Sequence, residues 1–427
     1  GYSNAVFRLM ERLSVPRKGL LGPWSHKYPH LGVPGPAIGF LQEVRAWWDR
    51  WLKGIENGIE DEPMFRVWMQ DSVPPTTSYT ERPGRWIAES AWPSTDVCDF
   101  TFQLDLGRLA PASEGADQQP LSIQSPLSVG LFAGKWCSYQ APPDLPHDQR
   151  QEDGGALVFE TPALEEDLEI FGAPKVMLDL AANEPVAMVA ARLSDVAPDD
   201  KATRVTYGLL NLTHRDGHEN PQPLEPGKRY RVTVHLNGVA QRFPKGHRLR
   251  LSISTSYWPL AWPPPKPVQL VVYAGCSTFS LPVRSPKKSD AKLRPFAAPE
   301  GAPPLATTLL HPKQEEWRVI RDLRRDISTL EVVLDTGTTR YEKIDLEISS
   351  RAVEKYTYCC DDYDSLSGET RWTRTFERGD WQVRTVTRTL ITSDETSFRL
   401  RPDLDAYEGS SRVFSRSWHT EIPRRLV

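Results

Sequence analysis

KGLLGPWSH, residues 18–26, is the stretch on which the reading of this chain turns. Residues 18–22 form a short apolar run closed by Gly22-Pro23, a pattern that predicts a buried parallel strand. His26 then falls just past the strand's carboxyl end, the edge of an open α/β sheet where functional loops gather. Upstream, Val6, Leu9, Met10 and Leu13 recur at helical spacing, so residues 3–13 are expected to be a helix that Pro16 ends. Downstream, Phe40, Val44, Trp47, Trp48 and Trp51 lie on one face of a second amphipathic helix, and Gly54 stands where a C-terminal cap belongs. Helix, strand, loop, helix reads as the tail end of an open α/β sheet, and too little of one to stand alone.

The texture changes at Met64. MFRVWMQ, DFTFQLDL, ALVFETPAL, YRVTVHLNGVA and HRLRLSISTSYWP are short runs rich in β-branched and aromatic residues, separated by turn residues. That spacing predicts an antiparallel β-sandwich or jelly roll over residues 61–285. Residues 286–305 carry charge and proline without periodicity and read as a linker. Alternation returns in residues 306–427, which are expected to form a further all-β unit. The fold class is therefore α/β plus all-β.

Bulk properties exclude several functions. Of the 427 residues 39% are hydrophobic and 25% charged, and the net charge of −4 offers no electrostatic case for nucleic acid or an anionic membrane. No run approaches the ~18 apolar residues of a membrane span. Five scattered cysteines favour free thiols over a disulfide framework, and they lean the expected location towards the cytoplasm. The chain starts at Gly1 rather than Met, with helical periodicity almost at once, and this reads as a fragment whose N-terminal part is missing.

GYSNA, residues 1–5, has the outline of a G-x-S-x-G nucleophile elbow with alanine in the last place. Only one helix and one strand fit between Ser3 and His26, which leaves no room for a catalytic acid between them. Ser3 is better read as a helix cap. From position alone, His26 is either functional or a plain surface or packed histidine. The pairs His26/His30 and His214/His218 are spaced HxxxH, but Pro29 interrupts the first and Arg215-Asp216-Gly217 makes the second a turn, so no metal site is expected. Tyr257, Trp258 and Trp262 either line a pocket where the sandwich meets the α/β part or pack between domains, and Trp24 has the same two readings. Asn211-Leu212-Thr213 is a glycosylation sequon by letter, read as chance.

GLLGPWSHKYPH, GFLQEVRAWWDRWLKG and EPMFRVWMQ together resemble the closing segment of the α/β-hydrolase domain in the CocE/NonD family, which includes cocaine esterase and X-prolyl dipeptidyl-peptidases. PHDQRQEDGGALVFET, RVTYGLLNLTHRDGH, LEPGKRYRVTVHL and FPKGHRLRLSISTSYWP resemble that family's C-terminal, galactose-binding-like jelly roll. The likeness covers about residues 1–283. It implies a Ser-His-Asp hydrolase in which His26 is the general base, with no cofactor and no metal. Its acid is an Asp before a Gly-Tyr pair, so Gly1-Tyr2 would follow that Asp directly, and the nucleophile would lie further upstream. The implied partner is a small ester, an amide or a short X-Pro peptide, with homo-oligomerisation left open. The alternatives are a carbohydrate- or ligand-binding jelly roll, or an inactive hydrolase homologue.

Overall fold

In the computed structural model, residues 2–111, 119–139 and 143–427 are described. Gly1, half of the Gly-Tyr pair, lies outside them.

Helix α1 (Ser3–Arg12) forms as its periodicity requires and buries Phe7 and Met10. Phe7 sits in an aromatic nest, with ring centroids 5.3 Å from Phe65, 5.2 Å from Trp92 and 5.6 Å from Phe171. The expected Ser3 cap does not form: Ser3 is inside the helix, Tyr2 is the capping residue, and no side chain caps the end. Asn4 makes the polar contact instead, exchanging hydrogen bonds with the Asn237 side chain at 2.7 Å and the Gly238 N–H at 2.8 Å.

Strand β1 (Gly19–Leu21) is parallel, as its apolar run suggested, and pairs with β2 (Phe65–Gln70) from Gly19 opposite Phe65 to Leu21 opposite Val67. Helix α2 (Phe40–Lys53) ends at Gly54 in the left-handed conformation, φ +69°, which costs a residue without a Cβ little. Its aromatic face is present but no residue of α2 is buried, and Trp48 is 49% exposed.

β2 also pairs antiparallel with β3 (Gly84–Glu89) and touches the strand Val239–Phe243 through Gln70 and Gln241. The α/β tail therefore runs without a break into the body: among the described residues, one sheet of sixteen strands contains both. Its core is mostly aliphatic with several phenylalanines, and Leu178, Leu180, Val189, Leu193, Leu251, Ile253 and Phe279 are fully buried. The strand Met188–Val196 is buried along all nine residues because Ala202–Asn211 and Arg248–Ser254 flank it. It nonetheless carries Arg192, which is paired with Glu152 at 3.3 Å and Asp153 at 3.1 Å.

A second sheet of nine strands covers Thr307–Pro423, and its long strands pair antiparallel, mostly with their sequence neighbours. It packs on the body through Leu330, Val332, Tyr358 and Leu366 against Leu127, Leu131 and Trp258. The structure is thus mostly β, in two sheets with few helices. The linker is docked: Arg284 binds Glu89 and Asp290, Arg294 binds Glu43 and Glu62, and Phe296 lies under the Arg66 guanidinium at 3.8 Å. Among the described residues, no helix is long and apolar enough to cross a membrane.

Candidate functional site

The loop after β1 is built around Trp24. Its indole N–H donates to the Pro36 carbonyl at 2.8 Å. A Cβ on Gly22 would come within 2.6 Å of the Trp24 ring and one on Gly32 within 2.1 Å, so both positions need glycine for the indole to lie between them. Ser25 donates twice to the Val33 carbonyl, through its N–H and its hydroxyl, both at 2.9 Å. The loop so pinned presents His26 at its tip, exposed.

His26 is held from the far side by residues that are distant in sequence. Its N–H donates to the Ser138 carbonyl at 2.8 Å, its ring lies flat on Tyr139 at 4.7 Å, and Tyr2 meets it edge-on at 5.4 Å. No described residue hydrogen-bonds to the imidazole nitrogens. Sequence reading missed Asp144, which organises the loop carrying Ser138 and Tyr139. Its carboxylate accepts the Tyr139 N–H at 3.3 Å, its carbonyl accepts the Lys135 N–H at 2.8 Å, and burial pushes its carboxyl up from the usual range. Nothing in the local sequence marks this aspartate.

Beside this loop lies a cavity of about 340 Å³. Trp24, Trp68, Trp136, Tyr79 and Tyr207 supply aromatic wall, and Arg82 and Arg204 are its charged members. None of the described lining residues is Asp or Glu. Ser25 and Ser138, which flank His26 in sequence and space, both line it, as does Ser3. Tyr207 is nearly buried, with Arg204 stacked on its ring at 4.4 Å, and burial pushes its phenol up to about 12.

The other aromatic candidates divide. Trp24 lines the cavity. Tyr257 stands one layer behind, its hydroxyl accepting from Arg204 at 2.6 Å. Trp258 and Trp262 point elsewhere: they meet edge to face at 4.9 Å, Trp258 touches Tyr356, and the Trp262 N–H donates to the Ser393 hydroxyl at 2.9 Å. They pack against the C-terminal sheet, whose position the sequence alone did not reveal. His30 stacks beside Tyr28 and Phe40, and the Nδ1 atoms of His214 and His218 lie 3.2 Å apart on a surface turn. Asn211 is engaged by the fold, donating to the Leu426 carbonyl at 2.7 Å and accepting from Thr213.

A mostly β body continuous with a short parallel strand is consistent with the C-terminal region of the CocE/NonD family. Residues 57–291 match the X-Pro dipeptidyl-peptidase C-terminal non-catalytic domain, and the chain belongs to that family. It is 23% identical over 261 residues to a cocaine esterase of Rhodococcus sp. (strain MB1 Bresler), covering 56% of this chain and 44% of that protein. It is 21% identical over 277 residues to a Xaa-Pro dipeptidyl-peptidase of Pediococcus pentosaceus, covering 53% of this chain and 32% of the relative. A solved CocE/NonD family hydrolase of Staphylococcus aureus aligns with a TM-score of 0.44 at 14% identity, over 57% of this chain and 45% of that one. The chain spans less than half the length of the curated relatives it matches.

Proposed function

We propose that the polypeptide to which this chain belongs is a serine hydrolase that cleaves an ester or amide acyl bond, with His26 as its general base. A serine hydroxyl supplied from outside these 427 residues attacks the acyl carbon, and the imidazole takes its proton. The imidazolium then protonates the leaving alcohol or amine as the acyl bond breaks. Water repeats the cycle on the acyl-serine and regenerates the free hydroxyl. A carboxylate, also from outside the chain, orients the ring.

One observation carries this reading: an exposed imidazole at the tip of a pinned loop, held by ring stacking and a backbone bond, with both ring nitrogens unbonded among the described residues. For the body we propose a jelly roll that supports this loop through Val239–Phe243 and Ala202–Asn211.

The test is a fluorophosphonate probe on the full-length protein. Labelling of one serine, greatly reduced in His26→Ala, is the expected result. A full-length protein that never labels, or that labels equally in His26→Ala, refutes the assignment.

A further inference from the structure

We propose that the cavity beside the His26 loop is a binding site for a small organic carboxylate, with Arg82 and Arg204 as its anion-holding groups. The starting point is a charge that the fold leaves uncompensated. The Arg82 Nε donates to the Gln70 side-chain oxygen at 2.9 Å and its Nη2 to the Gln241 oxygen at 3.3 Å. Both acceptors are neutral amides. The Gln241 amide nitrogen donates to the Arg242 carbonyl at 2.8 Å, so its oxygen is the end turned towards Arg82. The third arm, Nη1, has no partner and is closed off from solvent, so a ligand in the cavity reaches it only when the side chain shifts. No described carboxylate lies within ion-pair distance of Arg82. The two acidic groups that act on it from further away are engaged: Asp71 with Arg242 at 3.2 Å, and Asp195 with His247 at 2.8 Å.

A buried cation with only neutral acceptors is costly, and the structures that keep one generally give it a counter-ion. Here the second cation deepens the case. Arg204 lines the same cavity, bound to the Tyr257 hydroxyl and stacked on Tyr207, and it too has no described carboxylate in ion-pair reach. Two such guanidinium groups in one cavity without an acidic lining residue make a site that attracts an anion and repels a cation. Guanidinium groups recognise carboxylates by paired hydrogen bonds.

The rest of the wall decides which anion. Trp68, Trp136, Tyr79 and Tyr207 can bury the apolar body of an organic acid, which inorganic phosphate lacks, while Ser25, Ser138, Thr206 and Asn237 add polar groups to the same wall. The volume of about 340 Å³ suits a single-ring acid or a short acyl chain. The inference rests on the hydrolase reading only in calling this ligand part of the substrate. Binding itself is measured on the chain as it stands, so either idea can fail without the other.

The experiment is a ligand-observed NMR titration of the 427-residue chain with sodium benzoate at constant ionic strength, with benzamide and inorganic phosphate as comparison ligands. Saturable benzoate binding is expected, weakened about tenfold or more in Arg82→Gln and in Arg204→Gln, with benzamide and phosphate each at least about tenfold weaker than benzoate. Circular dichroism checks the fold of each variant. Should Arg82→Gln fail to fold, Arg204→Gln carries the comparison alone. Equal binding of benzoate and benzamide, phosphate binding as tightly as benzoate, or folded variants that bind like the parent overturn the proposal.

Discussion

His26 lies flat on Tyr139, with ring centroids 4.7 Å apart and planes 8° from parallel. The contact spans 113 residues of sequence and directs the imidazole without occupying either ring nitrogen. Tyr139 is itself placed by Asp144, which accepts its backbone N–H from a buried position. The stack therefore acts as a positioning device. In Tyr139→Leu the His26 ring protons lose the shielding of the phenol ring, and their NMR resonances move downfield while the amide spectrum of the body is unchanged. In the full-length protein the same variant lowers kcat by roughly ten- to a hundredfold with little change in KM, because a misdirected base is a transition-state defect. Unmoved His26 resonances would remove Tyr139 from that role.

The buried ion cluster under the cavity loop is sensitive to loss of one partner. Arg192 is fully buried between Glu152 and Asp153, while Glu152 also accepts the N–H groups of Gly130 and Phe132, and burial pushes its carboxyl up. Arg192→Met leaves Glu152 without its ion pair in the core, while Asp153 keeps Arg250 at 2.9 Å. Urea denaturation should show a loss of about 3–5 kcal/mol, and adding Glu152→Gln to it should recover part of that loss.

The C-terminal sheet is fastened by Trp258 and Trp262 in a graded way. Trp262→Phe removes the hydrogen bond to Ser393 while keeping most of the ring contact, and should cost about 1 kcal/mol. Trp258→Ala empties a fully buried site against Leu330 and Tyr358, and should cost about 3–5 kcal/mol. Hydrogen exchange should show the larger loss of protection in Ile327–Tyr341 and Leu346–Cys359 rather than in Met188–Val196. Equal loss in all three would mean that the two sheets do not open separately.

Alkaline pH should loosen the cavity wall. The Tyr207 phenol is raised to about 12 by burial, against about 10 in an unfolded chain. Above pH 10 the unfolded state gives up its proton while the folded state still holds it. The stabilisation is thus fully present below pH 10 and is lost as pH rises to about 12, amounting to about 3 kcal/mol. Tyr356 and Tyr363, raised by burial in the other interface, act in the same direction. Denaturation midpoints should fall across that window, and fall less in Tyr207→Phe.

Helix α2 carries an apolar face that the chain does not cover, with Trp48 and Trp51 49% and 39% exposed. Trp48→Lys should raise the solubility of the chain and leave its melting temperature nearly unchanged, within about 0.5 kcal/mol in stability. A marked drop in melting temperature would show that this face packs against something within the chain.

Some features were open to the sequence because they are local. Gly19–Leu21 pairs parallel as its apolar run suggested, α1 and α2 follow their 3.6-residue periodicity, and Gly54 takes the left-handed turn expected of it. The alternating runs became strands, and the five cysteines are unpaired thiols. The Ser3 cap failed because the helix begins one residue earlier than expected: Ser3 is its first helical residue and Tyr2 holds the cap position.

The cavity belongs to the other category. Arg82 and Arg204 are 122 positions apart and neither stands in a motif, yet both line one cavity together with residues of β2 and of the strands Val239–Phe243 and Ala202–Asn211. The docking of Trp258 on the second sheet, of the linker on α2 and of Asn211 on the C-terminus is equally non-local. Periodicity and capping are energies of neighbours within a few residues, and a single sequence displays them directly. Which strands lie side by side is settled by burial summed over the whole chain, so the company that His26 and the two arginines keep became visible only in three dimensions.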